Sequence, residues 1–450
     1  MRLLNTRTYQ LRTFASAEIR PKYTILSHCW ADDEVDFSDI QDLVRARSYR
    51  GWTKVEGACA VALSQGYDWL WLDTCCIDKC SSAELSEAIN SMFSWYKHAA
   101  LCLAYLGDVG HDDPHKPDSS FRKSRWFTRG WTLQELIAPG CSVVFLSRDW
   151  KRIGSSRDLA ALLEQITNID SAVLLSDNPA CAISQLSIAR RMAWAAGRHT
   201  TRPEDRAYAL MGLFDVNIPI LYGEGSERAF RRLQLEIISH TFDHSIFAWG
   251  PRAAPARLLA RAPTPGHPPA PPVVRLLALS PDDFRDSADI VRVAMAELTG
   301  ALGLRTVKEP HFFDTHYGIR IRLPLCPVPS HAGGRLWCGA LACRTSAPQQ
   351  GLGATCAPPP KFIGLVLYRP QGSPVYVVVQ GMDVHDEGLS RAVDLPYPLA
   401  RRKFPYFWRS EWRVETIYIW ARAIGEETEL SSPSRDKLAI RTAGEVECED

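Results

Sequence analysis

The sequence has almost no net charge: 52 Lys and Arg stand against 51 Asp and Glu, a formal balance of +1. Proteins that bind polyanions draw much of their affinity from a positive excess, so bulk electrostatics exclude nucleic acid or an anionic membrane as the main partner. Only a local basic patch remains open. Long apolar runs are also missing. A spanning helix needs roughly 18 consecutive apolar residues, and even DWLWLDTCCI is interrupted by Asp73. The opening MRLLNTRTYQLRTF has no signal-peptide core, and no repeat occurs at a solenoid period. The 13 cysteines are odd in number and contain no CxxC pair. Together these absences predict a soluble, cytoplasmic protein with reduced thiols, no membrane span and no metal. What is present is a chain of 450 residues, 46% apolar and 23% charged, long enough for two or three domains.

Composition divides the chain. The segment from Pro251 to Arg275 has eight prolines in 25 residues and no acidic side chain, so neither a helix nor a central strand persists there. It reads as a linker between domains at 1–250 and 276–450. Before it, β-type runs alternate with helical patterns, which predicts α/β architecture: a parallel sheet flanked by helices over about 20–155, then a helical extension over 156–250. After it, HYGIRIRLPL, RLWCGALAC, FIGLVLYRP, PVYVVVQGM and ETIYIWARA predict a smaller, mainly β, antiparallel domain. In the first part YTILSHCW, YDWLWLDTCCID, ALCLAYLGDV and CSVVFLSRDW read as four strands. Their apolar stretches end in polar residues, and an open parallel sheet binds ligands beyond its carboxyl edge. Ser27, His28, Asp73, Thr74 and Asp78 are therefore expected along one edge.

Four motifs carry a family resemblance: YTILSHCW, WLDTCCIDK with SSAELSEAINSMFSWYKHA, SRWFTRGWTLQELIAP, and TTRPEDRAYALMGLFDVNIPILYGEGSERAFRRLQLEII. In that order they resemble the fungal heterokaryon incompatibility (HET) domain over about residues 1–250. The chain departs from the family pattern at Ala31 and Lys79, where Gly and Gln are common. The resemblance implies a role in fungal non-self recognition and programmed cell death, a form of innate immunity. It also implies a fold related to Toll/interleukin-1 receptor (TIR) domains, hence a TIR/flavodoxin-like sheet. Some TIR domains cleave NAD, so NAD hydrolysis is the implied activity, with NAD as substrate and no resident cofactor. The alternative is a non-catalytic signalling module working by association with other proteins or with itself.

The residues themselves leave roles open. Leu85, Ala88, Ile89, Met92 and Tyr96 form one helical stripe, which places Glu84 at its boundary and Glu87 toward water. Glu84 is the candidate catalytic residue: a carboxylate beside ribose stabilises the positive charge that develops when a nicotinamide glycosidic bond breaks. Ser81 three residues earlier equally fits a capping box, in which Glu84 only closes the helix start. Arg129 and Trp131 suit a nucleotide, guanidinium on pyrophosphate and indole on a base, or else Arg129 pairs with Glu135 and the tryptophans are core. Trp30 joins Ser27, His28, Asp73, Asp78, Arg129 and Trp131 as candidate substrate-binding residues. No Gly-rich loop follows the first strand, which argues against a classical Rossmann dinucleotide site. His28, Cys29, Cys75, Cys76 and Cys80 suggest zinc, or a Cys75–His28 nucleophile, but adjacent strand cysteines point to opposite faces and disfavour a shared ion. The TTRPED segment and the Tyr222–Gly225 turn read mostly as packing. A thiol titration of unreduced protein in denaturant should find all 13 cysteines free, and elemental analysis should find no zinc; stoichiometric zinc lost in Cys75→Ser or Cys80→Ser would refute this.

Overall fold

Thr24–His28 is buried at all five positions, and a strand with no solvent face needs helices on both sides of its sheet. The computed structural model, which describes residues 1–250, 252–253, 273–305, 312–316, 318–327, 336–346, 361–369, 372–379, 392–396 and 412–419, has that arrangement. Strands β1 (Arg2–Asn5), β2 (Leu11–Thr13), β3 (Thr24–His28), β4 (Trp69–Trp71), β5 (Leu101–Tyr105), β6 (Val143–Leu146) and β7 (Arg152–Ser155) lie in the order β2-β1-β4-β3-β5-β6-β7. The four strands read from sequence, β3 to β6, are the parallel ones. The antiparallel edges β1, β2 and β7 were not expected; at three or four residues they are too short to display a period.

Helices α1 (Leu43–Ala46) and α2 (Trp52–Ser64) fill the β3–β4 crossover, α3 (Ser82–Lys97) the next, and α4 (Thr132–Ile137) precedes β6. The expected stripe of α3 is the packed one: Ala88, Ile89, Met92 and Tyr96 are buried, and the Tyr96 hydroxyl donates to Leu26 O at 3.0 Å. Trp71 packs edge-on against Trp95 and Tyr96 with centroids 5.5 and 5.9 Å apart. Each such ring removes on the order of 200 Å² from water, about 5 kcal/mol of transfer free energy. The extension consists of α5 (Ala160–Thr167), α6 (Ser171–Leu175), α7 (Pro179–Gln185), α8 (Ile188–Ala193), α9 (Asp205–Tyr208), α10 (Met211–Phe214) and α11 (Ser226–His240).

The second unit contains β8 (Arg252–Ala253), β9 (Val273–Val274), β10 (Ile290–Arg292), α12 (Met295–Ala301), β11 (Phe312–Thr315), β12 (Gly318–Pro327), β13 (Leu336–Thr345), β14 (Lys361–Tyr368), β15 (Val375–Val379), β16 (Ala392–Pro396) and β17 (Arg413–Ile419). Pairings β13–β12, β12–β17, β17–β15, β15–β14 and β14–β13 close a barrel. An odd ring cannot alternate direction throughout, so one junction has to be parallel, and β15–β17 is that junction. The all-antiparallel expectation fails there, and again at the outlying β16–β8 pair. Ile319, Ile321, Leu323 and Leu325 of β12 fill the core while Arg320 and Arg322 face out, the period-2 pattern of a strand with one wet face. Helix α12 covers an outer face made of Cys326, Cys338, Ala340, Ala342 and Phe362.

Most of the proline-rich 251–275 segment lies outside the described residues. The chain after it is laid directly against the helical extension. Gln234 exchanges two hydrogen bonds with Ala278 (2.8 and 3.0 Å), Arg206 pairs with Asp282 at 2.7 Å, and the Ala342 N–H donates to His244 Nδ1 at 3.1 Å. Among the described residues no helix is long and apolar enough to cross a membrane.

Gly57 in α2 tests the packing. A Cβ there would lie 2.1 Å from the Trp150 indole, itself stacked on Tyr105 at 4.3 Å. Gly57→Ala should lower stability by about 1–3 kcal/mol through overpacking, against a helix-propensity gain of about 1 kcal/mol; a raised midpoint in urea would show that Trp150 yields freely.

Candidate ligand cleft at the strand ends

Successive β3 residues point to opposite faces. Ser27 points inward, where its Oγ accepts from Trp126 Nε1 at 2.7 Å and donates in a short contact to Glu135 Oε2. Burial pushes the Glu135 carboxyl up to about 8, with the Ser27 hydroxyl pulling the other way. His28 points to the other side, its Nε2 3.0 Å from Asp73 Oδ1 at the end of β4. Its Nδ1 is buried without a hydrogen bond, and Glu34 Oε1 stands 4.0 Å away. Burial works against the charge on Asp73, yet His28, Lys79 and Trp30 together hold it down at about 2. The Trp30 indole N–H donates to the same carboxylate at 2.8 Å. Trp30 is 44% exposed, and Lys79 Nζ lies 3.8 Å from its ring centroid. Lys79 thus places a cation against this indole.

The facing wall is SRWFTRGW. Ser124 caps a 3-10 turn at Arg125–Thr128 and donates to Asp108 Oδ1 at 2.8 Å. Trp126 and Phe127 enter an aromatic cluster with Phe121 and Phe145, which turns Arg125 and Arg129 outward. This wall is stitched to residues 198–201. His199 N–H donates to Thr128 O at 2.7 Å, and Gly130 N–H to His199 O at 2.8 Å. Arg198 donates to Arg129 O and Thr132 Oγ1 at 3.0 and 3.1 Å. Gly130 permits the approach, since a Cβ there would sit 2.4 Å from Thr200 Cγ2.

Between the walls opens a cavity of about 210 Å³, lined by Cys29, Trp30, Arg125, Thr128, Arg129, His199, Thr200 and Thr201. Its lining comes from the loops that follow β3 and β5 and from residues 199–201, after α8. The parallel strands run β4-β3-β5-β6, so β3 and β5 flank the point where the chain reverses its direction across the sheet, the place where open α/β sheets bind ligands.

Of the candidate residues, Trp30 and Arg129 line this cavity. Ser27, His28 and Asp73 stand behind it as supports. Asp78 lies in the loop before α3, where its Oδ1 accepts from Cys80 N–H at 3.0 Å. Trp131 turns away, its indole donating to Asp205 Oδ2 at 3.1 Å. Glu84 takes two bonds from the Arg2 guanidinium, at 2.7 and 3.2 Å, and one from Asp78 N–H at 2.9 Å. Burial opposes its charge, but these donors hold its carboxyl below the ordinary range. Ser81 Oγ accepts from Glu84 N–H at 3.3 Å, one half of the capping box. The other half is replaced, since the carboxylate reaches Asp78 rather than the cap residue. Arg129 does not pair with Glu135, which Ser27 occupies instead.

Cys75 donates to Val35 O at 3.1 Å, and burial raises its thiol well above the usual value. Among the described residues no three His, Cys, Asp or Glu side chains are placed to hold a metal ion. Asp205 accepts from Trp131 and from the Tyr222 hydroxyl, the latter at 2.9 Å, rather than from an arginine. Glu204 takes the N–H groups of Gly223 and Gly225 at 2.9 and 3.0 Å, and both glycines have positive φ. Arg125 belongs to the Arg/Trp motif legible in the sequence, whereas no spacing marks Cys29, Thr128, His199, Thr200 and Thr201 as lining residues. The available signal was GRHTTR, a run dense in donors that a helix start alone does not need.

Residues 23–119 match the heterokaryon incompatibility protein (HET) family. The HET match covers β3, β4, α3 and β5, hence one wall of the cleft. Residues 228–422 match a domain of unknown function, DUF8212, which begins inside α11. The chain is 47% identical over 224 residues to vegetative incompatibility protein HET-E-1 of Podospora anserina, covering 48% of this chain and 16% of that protein. No solved structure matches.

Glu135 makes the cleft's support measurable. Its folded pKa, about 8, exceeds the ordinary 4.5, so between these values the unfolded chain releases the proton first and stability falls as pH rises. Glu135→Gln should flatten that fall between pH 5 and 8, measured by urea unfolding; an unchanged slope would remove Glu135 as its source.

Proposed function

We propose that this chain acts in heterokaryon incompatibility, as a fungal non-self recognition protein whose activation leads to cell death. The HET match and the HET-E-1 identity support that role. For the biochemical step, the carrying observation is the cleft at the β3/β5 reversal, with Arg125, Arg129 and an exposed Trp30 on its rim. Guanidinium beside an open indole face suits a nucleotide, and the proposed ligand is NAD, cleaved at its nicotinamide bond. The parallel order β4-β3-β5-β6 supports a flavodoxin-like, TIR-related sheet. In this reading Glu84 supplies the carboxylate that stabilises ribose charge, which requires it to exchange Arg2 for substrate.

A second reading is favoured by Glu84 itself. Three donors already satisfy its carboxylate, as in a helix anchor, and the cavity lining contains no carboxylate. The HET unit would then signal by association with other proteins or copies of itself, without catalysis. The test is nicotinamide release from NAD by the full chain, clustered through fused oligomerisation tags. Glu84→Gln should reduce release on the order of 100-fold or more, with Glu87→Gln at the unmodified level. No release from the clustered chain, with Glu84→Ala merely less heat-stable, would select the association reading.

A further inference from the structure

We propose that Arg125, Arg129, His199 and Thr201 form a diphosphate-binding subsite on the outer wall of the cleft, rather than a site for a neutral base or sugar. This rests on the nucleotide reading and specifies it: the wall made by 125–129 and 199–201 takes the phosphates, and Trp30 opposite takes a ring.

The charge balance is the first argument. The cavity is lined by two arginines, a histidine and three threonines, with no carboxylate. Arg125 has Asp108 only at 4.0 Å, and its side chain is 75% exposed. Among the described residues Arg129 has no acidic partner within 4 Å, and its guanidinium donates to Thr201 Oγ1 at 3.4 Å. Glu135, which feels the Arg129 charge, has its carboxyl raised by burial to about 8 and so offsets that charge only weakly. Arg198 lies buried beneath the wall, held by backbone carbonyls and Thr132; burial opposes its charge and Glu135 supports it, so it braces the wall rather than facing the cavity. A cationic wall of this kind in a chain with a formal charge of only +1 is a local concentration of charge.

Donor geometry is the second. The hydroxyls of Thr128 and Thr200 are committed to Arg125 O and Arg202 O, at 3.0 and 2.6 Å. Thr201 accepts from Arg129, so its own proton is left for a ligand oxygen. Guanidinium forks and a hydroxyl, arranged on one wall, match the several non-bridging oxygens of a diphosphate better than one carboxylate. The wall is also preorganised, since the Thr128–His199 and Gly130–His199 backbone bonds fix both segments without ligand. A Rossmann-type loop is not needed, because side chains and a bridged pair of loops do the work that glycine N–H groups do there.

Calorimetry on the full chain with inorganic pyrophosphate, ADP, AMP and adenosine tests this. Pyrophosphate and ADP should bind, ADP more tightly, with AMP weaker and adenosine weakest. Arg129→Gln should weaken pyrophosphate by about 10–100-fold, the range for hydrogen bonds to charged groups, and Thr201→Val by less, while Arg7→Gln on the distant hairpin should leave it unchanged. Preference for pyrophosphate over ADP would assign the subsite to free diphosphate instead of a nucleotide. Equal pyrophosphate affinity in Arg129→Gln, Thr201→Val and Arg7→Gln, or binding of adenosine as strong as ADP, overturns the proposal. So does absence of pyrophosphate binding by the unmodified chain. Circular dichroism of each variant separates misfolding from lost contacts. Pyrophosphate binding that depends on Arg129, without nicotinamide release, keeps the subsite and rejects NAD cleavage; nicotinamide release with an unchanged KM in Arg129→Gln does the reverse.

Discussion

The cleft depends on one buried contact set, the Ser27 hydroxyl between the Trp126 indole and the Glu135 carboxyl. It ties the first parallel strand to a segment about a hundred residues later, in a place water does not reach. Burying a carboxyl is expensive, and here burial outweighs the pull of Ser27 and Arg129 and raises the Glu135 carboxyl to about 8. Leaving any one of the three groups unpaired costs about 1–3 kcal/mol. More important for function, it would free the SRWFTRGW segment to shift, and Arg125 and Arg129 with it.

The wall on the other side is organised by opposite means. Asp73 remains charged because His28, Trp30 and Lys79 converge on it. One strand end thus presents inward an acid whose pKa is raised and outward an acid whose pKa is lowered, as the partners of adjacent residues. The strand's alternation of faces separates them. Asp73 fixes the indole of Trp30 by its N–H and so leaves the ring's orientation to the protein rather than to a ligand.

Much of the first unit was legible because buried parallel strands write themselves as apolar runs with polar ends. The edge strands were not, because Arg2–Asn5 and Leu11–Thr13 carry too few residues for a pattern. The second unit's strands were legible one by one, but its closure was not, since β12 pairs with β17 through contacts such as Ile319 with Ile419. At the cleft, Trp30 and Arg129 were readable from local chemistry. The role of Trp131 depended on Asp205, and that of Glu84 on Arg2, 82 residues away. No spacing rule reports such partners. His199 to Thr201 were missed because their segment also starts a helix, and a run of polar residues before a helix is explained equally well by capping.

The barrel's closure bears on how the chain is made. During synthesis the seven-stranded sheet is complete once Ser155 has emerged, and its contacts can form while the remainder is still being translated. The barrel cannot follow the same schedule. β12 waits for β17, whose residues lie up to a hundred positions downstream, and until then its edge and the apolar faces of β13 and β14 are open to other chains. A premature stop before Arg413 would therefore release a formed cleft attached to an open sheet whose β12 and β15 edges lack β17, the species on which chaperones and proteases act.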